Sequence, residues 1–172
     1  MMLGTHYMKY PLNRSALEVF LAQTAAPLAL TIIGALWQSD VLMIGGVITW
    51  GAAYFLWLVG VSRASNLRLA ASLQRPTRGI EIGLAYAFVY LLVGWYPITH
   101  GSPGPWIFVP HLAAMAAIFY ALWFSSRQLS TFRYGRYSFE NTFSSFVLMW
   151  FFPIGVWVLQ PIVQEKLGAD GA

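Results

Sequence analysis

Apolar residues run along this chain in five long blocks with short polar stretches between them. The first covers Ala16 to Trp37 and the second Val41 to Val61. The third covers Ile82 to Ile98, the fourth Pro105 to Phe124 and the fifth Phe143 to Val163. A helix needs about 20 mostly apolar residues to cross the hydrocarbon core of a bilayer. Each block meets that length, the third only with help from Ile80 and its flanks. The pattern therefore predicts an all-α polytopic transmembrane helical bundle of five spans (16–37, 41–61, 82–98, 105–124, 143–163) in one integral membrane domain over 1–172.

Helix-start signals precede the blocks. Ser15-Ala16-Leu17-Glu18 has the form of a capping box. Ser39 and Asp40 are placed to cap the second span and Asn141 the fifth, while Glu81 falls in the first turn of the third. Only Gln38-Ser39-Asp40 separates spans one and two, which must then be antiparallel neighbours. Span one is expected to remain a span, because its apolar run is too long for a cleaved signal peptide and no small-residue cleavage motif follows.

Composition narrows the class. The chain is 58% hydrophobic, 17% aromatic and 9% charged, with a mean hydropathy of +0.61. A soluble domain carries about 25% charge, so a soluble fold, a disordered tail and a secreted disulfide scaffold are excluded. The pI of 9.6 does not point to nucleic acid; in a membrane protein a small basic excess is a topology signal. Cysteine is absent, which removes disulfides, thiolate metal sites, iron–sulfur clusters and covalent haem attachment.

The charges predict orientation. Lys9 and Arg14 precede span one, Arg63, Arg68, Arg75 and Arg78 lie between spans two and three, and Arg127, Arg133 and Arg136 lie between spans four and five. With five spans, these nine of the ten basic residues share one side, and the other receives Lys166 with Asp40, Glu165 and Asp170. The N-terminus is expected in the cytoplasm and the C-terminus outside, across a bacterial inner membrane. Trp37, Trp95, Tyr96, Trp106 and Trp157 fall at the predicted outer interface, and Trp57, Trp123, Tyr134 and Tyr137 near the inner one. Trp50 and Trp150 sit near mid-membrane, where packing between helices is expected.

Candidate chemistry is sparse. His111, about two turns into span four, is the one intramembrane residue with ligand chemistry. An imidazole there suits a haem or chlorophyll metal, a quinone carbonyl or a proton relay, and equally a neutral histidine bonded to a neighbouring helix. His6 and His100 lie outside the predicted spans, so one chain cannot supply a bis-histidine haem. Gly45, Gly46 and Gly51 in span two and Ala113, Ala117 and Ala121 in span four form small faces that let helices approach closely. Pro153 and Gly155 predict a kink or break within span five, which, if sharp, makes the segment re-enter. Gln23, Thr24, Thr31 and Thr49 are expected to bond to backbone carbonyls or across helices. No paired carboxylates, metal-binding His pair, nucleophile elbow or phosphate loop occurs, so no catalytic or metal site is expected.

Phe108-Val109-Pro110-His111-Leu112, Phe119-Tyr120, Tyr137-Ser138-Phe139, the run from Trp150 to Trp157 and Gln160-Pro161 resemble a family of small bacterial membrane proteins common in the Bacteroidetes. The resemblance covers Val41 to Val163 and departs from the family after Gln160-Pro161, where Ile162-Val163-Gln164-Glu165 replaces an Arg-Ile-Asn ending. It implies a bacterial origin and a compact helical domain, and no activity. Few polar groups, short loops, small-residue faces and many aromatics together suggest a non-catalytic accessory subunit of a larger membrane complex, respiratory or photosynthetic. Its partners would be the bilayer and other membrane subunits, and no cofactor is required beyond lipid or a pigment or quinone contact. The alternatives are a small transporter or channel and a pigment- or haem-contacting protein using His111.

Overall fold

The structure is a computed structural model that describes residues 12–101 and 104–168, the side chains of 95–100 and 168 excepted. Every regular element among them is helical. Helix α1 covers Ala16–Leu36, α2 Asp40–Arg68, α3 Arg78–His100, α4 Phe108–Tyr134, α5 Phe139–Trp150 and α6 Phe152–Val163. Three stretches, Ala16–Leu36, Asp40–Arg68 and Pro105–Tyr134, are long and apolar enough to cross a membrane. Lys9, His6 and Asp170, and the side chains of Trp95, Tyr96 and His100, lie outside the described residues.

Local signals account for three helix ends, while Ser39, expected to cap α2, makes no side-chain capping bond. Ser15 Oγ accepts the Glu18 N–H at 3.2 Å and the Ser15 N–H donates to the Glu18 carboxylate at 2.8 Å, closing the capping box. Ser138, not Asn141, caps α5: its hydroxyl accepts the Asn141 N–H. Gly135, at φ 70°, ends α4 in the left-handed conformation that costs glycine least. Between α1 and α2 the helices meet closely: a Cβ on Gly34 would stand 2.6 Å from the Met43 nitrogen, and one on Gly46 2.6 Å from the Pro27 carbonyl oxygen.

Two helices outrun their apolar blocks. Instead of ending near Val61 and Phe124, α2 continues to Arg68 and α4 to Tyr134. No proline or glycine interrupts either extension, and the residues added favour helix well enough to prolong it. The extensions pack through polar groups. Ser62 and Ser125 share a 2.5 Å hydrogen bond, Ser126 donates to the Met149 sulfur at 3.3 Å, and Ser130 bonds Thr142 at 3.0 Å. Ser62, Ser65, Ser125, Ser126 and Thr142 are fully buried.

The fifth block is not one helix. The backbone breaks at Phe151 (φ −88°, ψ 51°), just before Pro153, and α6 doubles back along α5. The turn is sharp enough that a Cβ on Gly155 would collide with the Leu148 carbonyl group. Contacts along α2 record the reversal. Met149 lies beside Tyr54, Gln160 beside Trp57 and Lys166 beside Arg68. The expectation of one straight span over 143–163 is corrected: the block is two helices joined by a reversal. Pro153 has no N–H to return to the Met149 carbonyl four residues back, which Tyr54 takes instead, and its place in the first turn of α6 is one a helix tolerates; Gly155 leaves room for the returning leg.

Lys166, expected opposite the other cations, therefore joins them. Its carbonyl accepts the Arg68 guanidinium at 2.6 Å, and the end of α6 packs at the start of α1 through a 2.7 Å bond from Gln160 Nε2 to the Arg14 carbonyl.

Gly155→Ala is expected to destabilise the purified protein by about 1–3 kcal/mol, the cost of overpacking a tight contact. Gly45→Ala, where nothing stands within 4 Å, should be neutral. Thermal unfolding in detergent measures both.

Candidate functional site

The α5–α6 hairpin reaches into the bundle and stops partway. Its tip and its returning leg are held by side chains of α2. The Tyr54 hydroxyl donates to the Met149 carbonyl at 2.6 Å, and Trp57 Nε1 donates to Gln160 Oε1 at 2.9 Å. Phe152 packs edge-on against both rings, with centroids 5.1 Å from Tyr54 and 5.2 Å from Trp57. Trp57, expected near the inner interface, is fully buried between helices. Gln160 meets its need for an acceptor. The turn satisfies its own backbone as well: Phe151 N–H donates to Val147, and the N–H groups of Ile154 and Gly155 donate to the Phe151 carbonyl.

Beside this tip, between α1 and α2, lies a cavity of about 260 Å³. Gln23, Thr24, Leu28, Thr31, Trp50 and Pro153 are among its lining residues. Helix α1 opens into one wide π-helical turn at Leu21–Ala25, which carries Gln23 and Thr24. Gln23 is fully buried and its amide nitrogen donates to the Ala53 carbonyl of α2 at 3.1 Å. Its Oε1 and the Thr24 hydroxyl are buried without hydrogen-bond partners. Thr31 donates back to the Pro27 carbonyl at 2.9 Å and Thr49 to the Gly45 carbonyl at 2.7 Å, so these two side chains are spent on their own helices. Two orphaned oxygens on residues that line one small cavity are unusual, because a buried polar group left unpaired costs about 1–3 kcal/mol.

A second cavity, about 250 Å³, lies on the other side of Trp50 and is lined by Tyr90, Gly94, His111 and Met115. His111 is exposed, and its Nδ1 is bonded to the Tyr90 hydroxyl at 3.1 Å. A third hollow of about 380 Å³ separates α2 from α3 and ends at Arg63 and Glu81. Arg63 grips the Glu81 carboxylate through Nε at 2.8 Å and Nη2 at 2.6 Å, and Thr77 donates to it at 2.8 Å. The Arg63 hydrogen bond, chiefly, holds that carboxyl below its ordinary range.

Of the small residues, Gly46 faces Pro27 and Thr31, Gly51 faces Phe88, and Ala117 lies 3.3 Å from where a Gly83 Cβ would stand. Ala121 is fully buried, Ala113 is exposed, and Gly45 faces open space. Trp50 stacks on Tyr54 at 5.7 Å and Trp150 on Phe119 at 4.6 Å. Among the described residues no three His, Asp or Glu side chains gather as a metal site would require.

The π-turn and the pairing of Gln23 with Thr24 escape sequence reading, because one inserted residue leaves no mark on an apolar helix. The usable signal was narrower: a glutamine within an apolar block must find partners. Comparison with protein-family models, characterised proteins and solved structures found no match.

Gln160→Leu strands the Trp57 N–H in the core and is expected to cost about 1–3 kcal/mol. Adding Trp57→Phe, which keeps a ring and removes the orphan donor, should restore part of that loss. A double-mutant cycle of unfolding midpoints reads the coupling.

Proposed function

We propose that this chain is a non-catalytic protein of the bacterial cytoplasmic membrane that takes a small molecule into a mid-membrane site, in the manner of a small transporter. Helices α1 to α4 cross the bilayer, and α5 and α6 form a re-entrant hairpin. The described basic residues mark the cytoplasmic face, and the bundle begins and ends there. The observation that carries the function is the meeting of a hairpin tip with two residues of α1 whose side-chain oxygens, Gln23 Oε1 and Thr24 Oγ1, are buried without partners. Transporters use broken helices for this purpose, because irregular backbone is tolerated in a membrane where it lines a cavity.

An accessory subunit of a larger energy-transducing complex is the second reading. It is favoured by a row of rings along α4 and α5. Phe139 and Phe143 stack at 6.1 Å, and Phe119 stacks on Trp150 at 4.6 Å. All four are exposed, a face suited to another helix or a flat apolar cofactor. Gentle solubilisation should recover a larger assembly if that face is occupied.

The absence of cysteine makes single-cysteine labelling clean. In right-side-out cells, Lys166→Cys is expected to resist a membrane-impermeant maleimide until the membrane is opened, while Ser39→Cys labels at once. Thr24→Cys should react with a small permeant thiosulfonate much faster than Val19→Cys, which is buried. A Thr24→Cys as inert as the Val19 control would remove the site.

A further inference from the structure

We propose that the cavity beside the hairpin tip takes an uncharged, membrane-dissolved molecule carrying a hydroxyl or N–H donor, of which a simple aliphatic alcohol is the smallest representative. The inference rests on the cavity being the working site and adds the chemistry of its occupant.

The lining sets that chemistry. No Asp, Glu, Lys, Arg or His faces the cavity, so a charged occupant would sit desolvated without a counter-charge, which is prohibitive away from water. A cation would meet only neutral oxygens and, from α6, the positive end of a helix. An anion fares no better, because the N–H groups of Ile154 and Gly155 are already bonded to Phe151 and Pro153 has none. A purely apolar occupant would leave Gln23 Oε1 and Thr24 Oγ1 as they are, orphaned and costly. A neutral donor removes that cost. Gln23 Oε1 accepts only, and Thr24 Oγ1 either accepts or donates, so a hydroxyl satisfies both.

The route of access follows from the rim. Leu28, Trp50 and Pro153 line the cavity and are themselves exposed. They lie on α1, mid-α2 and the hairpin tip, at the depth of the hydrocarbon. The cavity therefore opens sideways to lipid, and its occupant arrives from the bilayer. Leu28 and the Trp50 ring offer apolar walls to an aliphatic tail, while the two oxygens take the head.

The test uses the full chain in lipid nanodiscs, labelled with 5-fluorotryptophan, the Trp50 resonance being assigned with Trp50→Phe. 1-Hexanol and its isomer 1-methoxypentane, which has the same heavy-atom count and no donor, are titrated in parallel. A saturable shift of the Trp50 signal with hexanol, at least tenfold weaker with the ether, is expected. Gln23→Leu should abolish the preference and Thr24→Val reduce it several-fold, with unfolding midpoints confirming that each variant folds. Equal response to alcohol and ether would mean an apolar groove and overturn the proposal. So would a saturable response to sodium or chloride alone, or no saturable response to either organic probe. Rapid labelling of Thr24→Cys together with a failed alcohol titration would reject the ligand class while leaving the site itself standing.

Discussion

A chain that turns back inside a bilayer must find protein partners for every backbone group the turn releases, since hydrocarbon offers none. At Phe151 this requirement organises much of the molecule. The Met149 carbonyl, freed at the end of α5, is taken by the Tyr54 hydroxyl. The first N–H groups of α6 fold back onto the Phe151 carbonyl. Farther down the returning leg, Gln160 joins Trp57 of α2 to the carbonyl that precedes α1. Tyr54, Trp57, Phe152 and Gln160 are all buried, so these polar links sit where water cannot compete and where losing one is expensive. The hairpin, α1 and α2 thus form one interlocked unit.

The rest of the bundle divides by depth. Toward the basic end, α2 and α4 run past their apolar blocks and pack through serine and threonine pairs such as Ser62–Ser125 and Ser130–Thr142. Short hydroxyl side chains permit close helix approach and bond across it. Toward the middle, contacts are aromatic: Tyr54, Phe55, Trp57 and Phe152 form a cluster against which α3 places Phe88. Among the described residues three buried side-chain atoms lack a hydrogen-bond partner: Gln23 Oε1 and the Thr24 hydroxyl on α1, on residues that line one cavity, and Gln128 Nε2 on α4. Tertiary structure that leaves a polar atom unpaired must recover the cost elsewhere.

Much of the fold was legible in the chain. The capping box at Ser15, the antiparallel pairing of α1 with α2 and the helical class follow from local rules that the structure obeys. What failed did so for identifiable reasons. Hydropathy registers apolar length but not direction, so a 21-residue block that runs out and back, Phe143 to Val163, looks like one that crosses. Pro153 and Gly155 marked the place of the break; whether it was a kink or a reversal depended on Tyr54 and Trp57, almost a hundred positions away in sequence. The separation of Lys166 from the other basic residues followed from counting the fifth block as one crossing, whereas the hairpin brings Lys166 to the end already holding Arg68. Of the site itself, Trp50, Pro153 and the polar pair on α1 were visible singly. Their convergence was not, since it depends on the π-helical turn at Leu21–Ala25.

The α5–α6 hairpin is the feature on which the proposed site, orientation and access all depend, and a distance measurement tests it most directly. Spin labels at Glu140→Cys and Glu165→Cys, both exposed, would report by double electron–electron resonance in lipid nanodiscs. Adjacent antiparallel legs pack with axes about 8–10 Å apart, so a narrow distribution near roughly 20 Å, labels included, is expected. A through-going helix rises 1.5 Å per residue and would set the labels about 37 Å apart. A distribution centred at that longer distance would contradict the hairpin and, with it, the site at its tip.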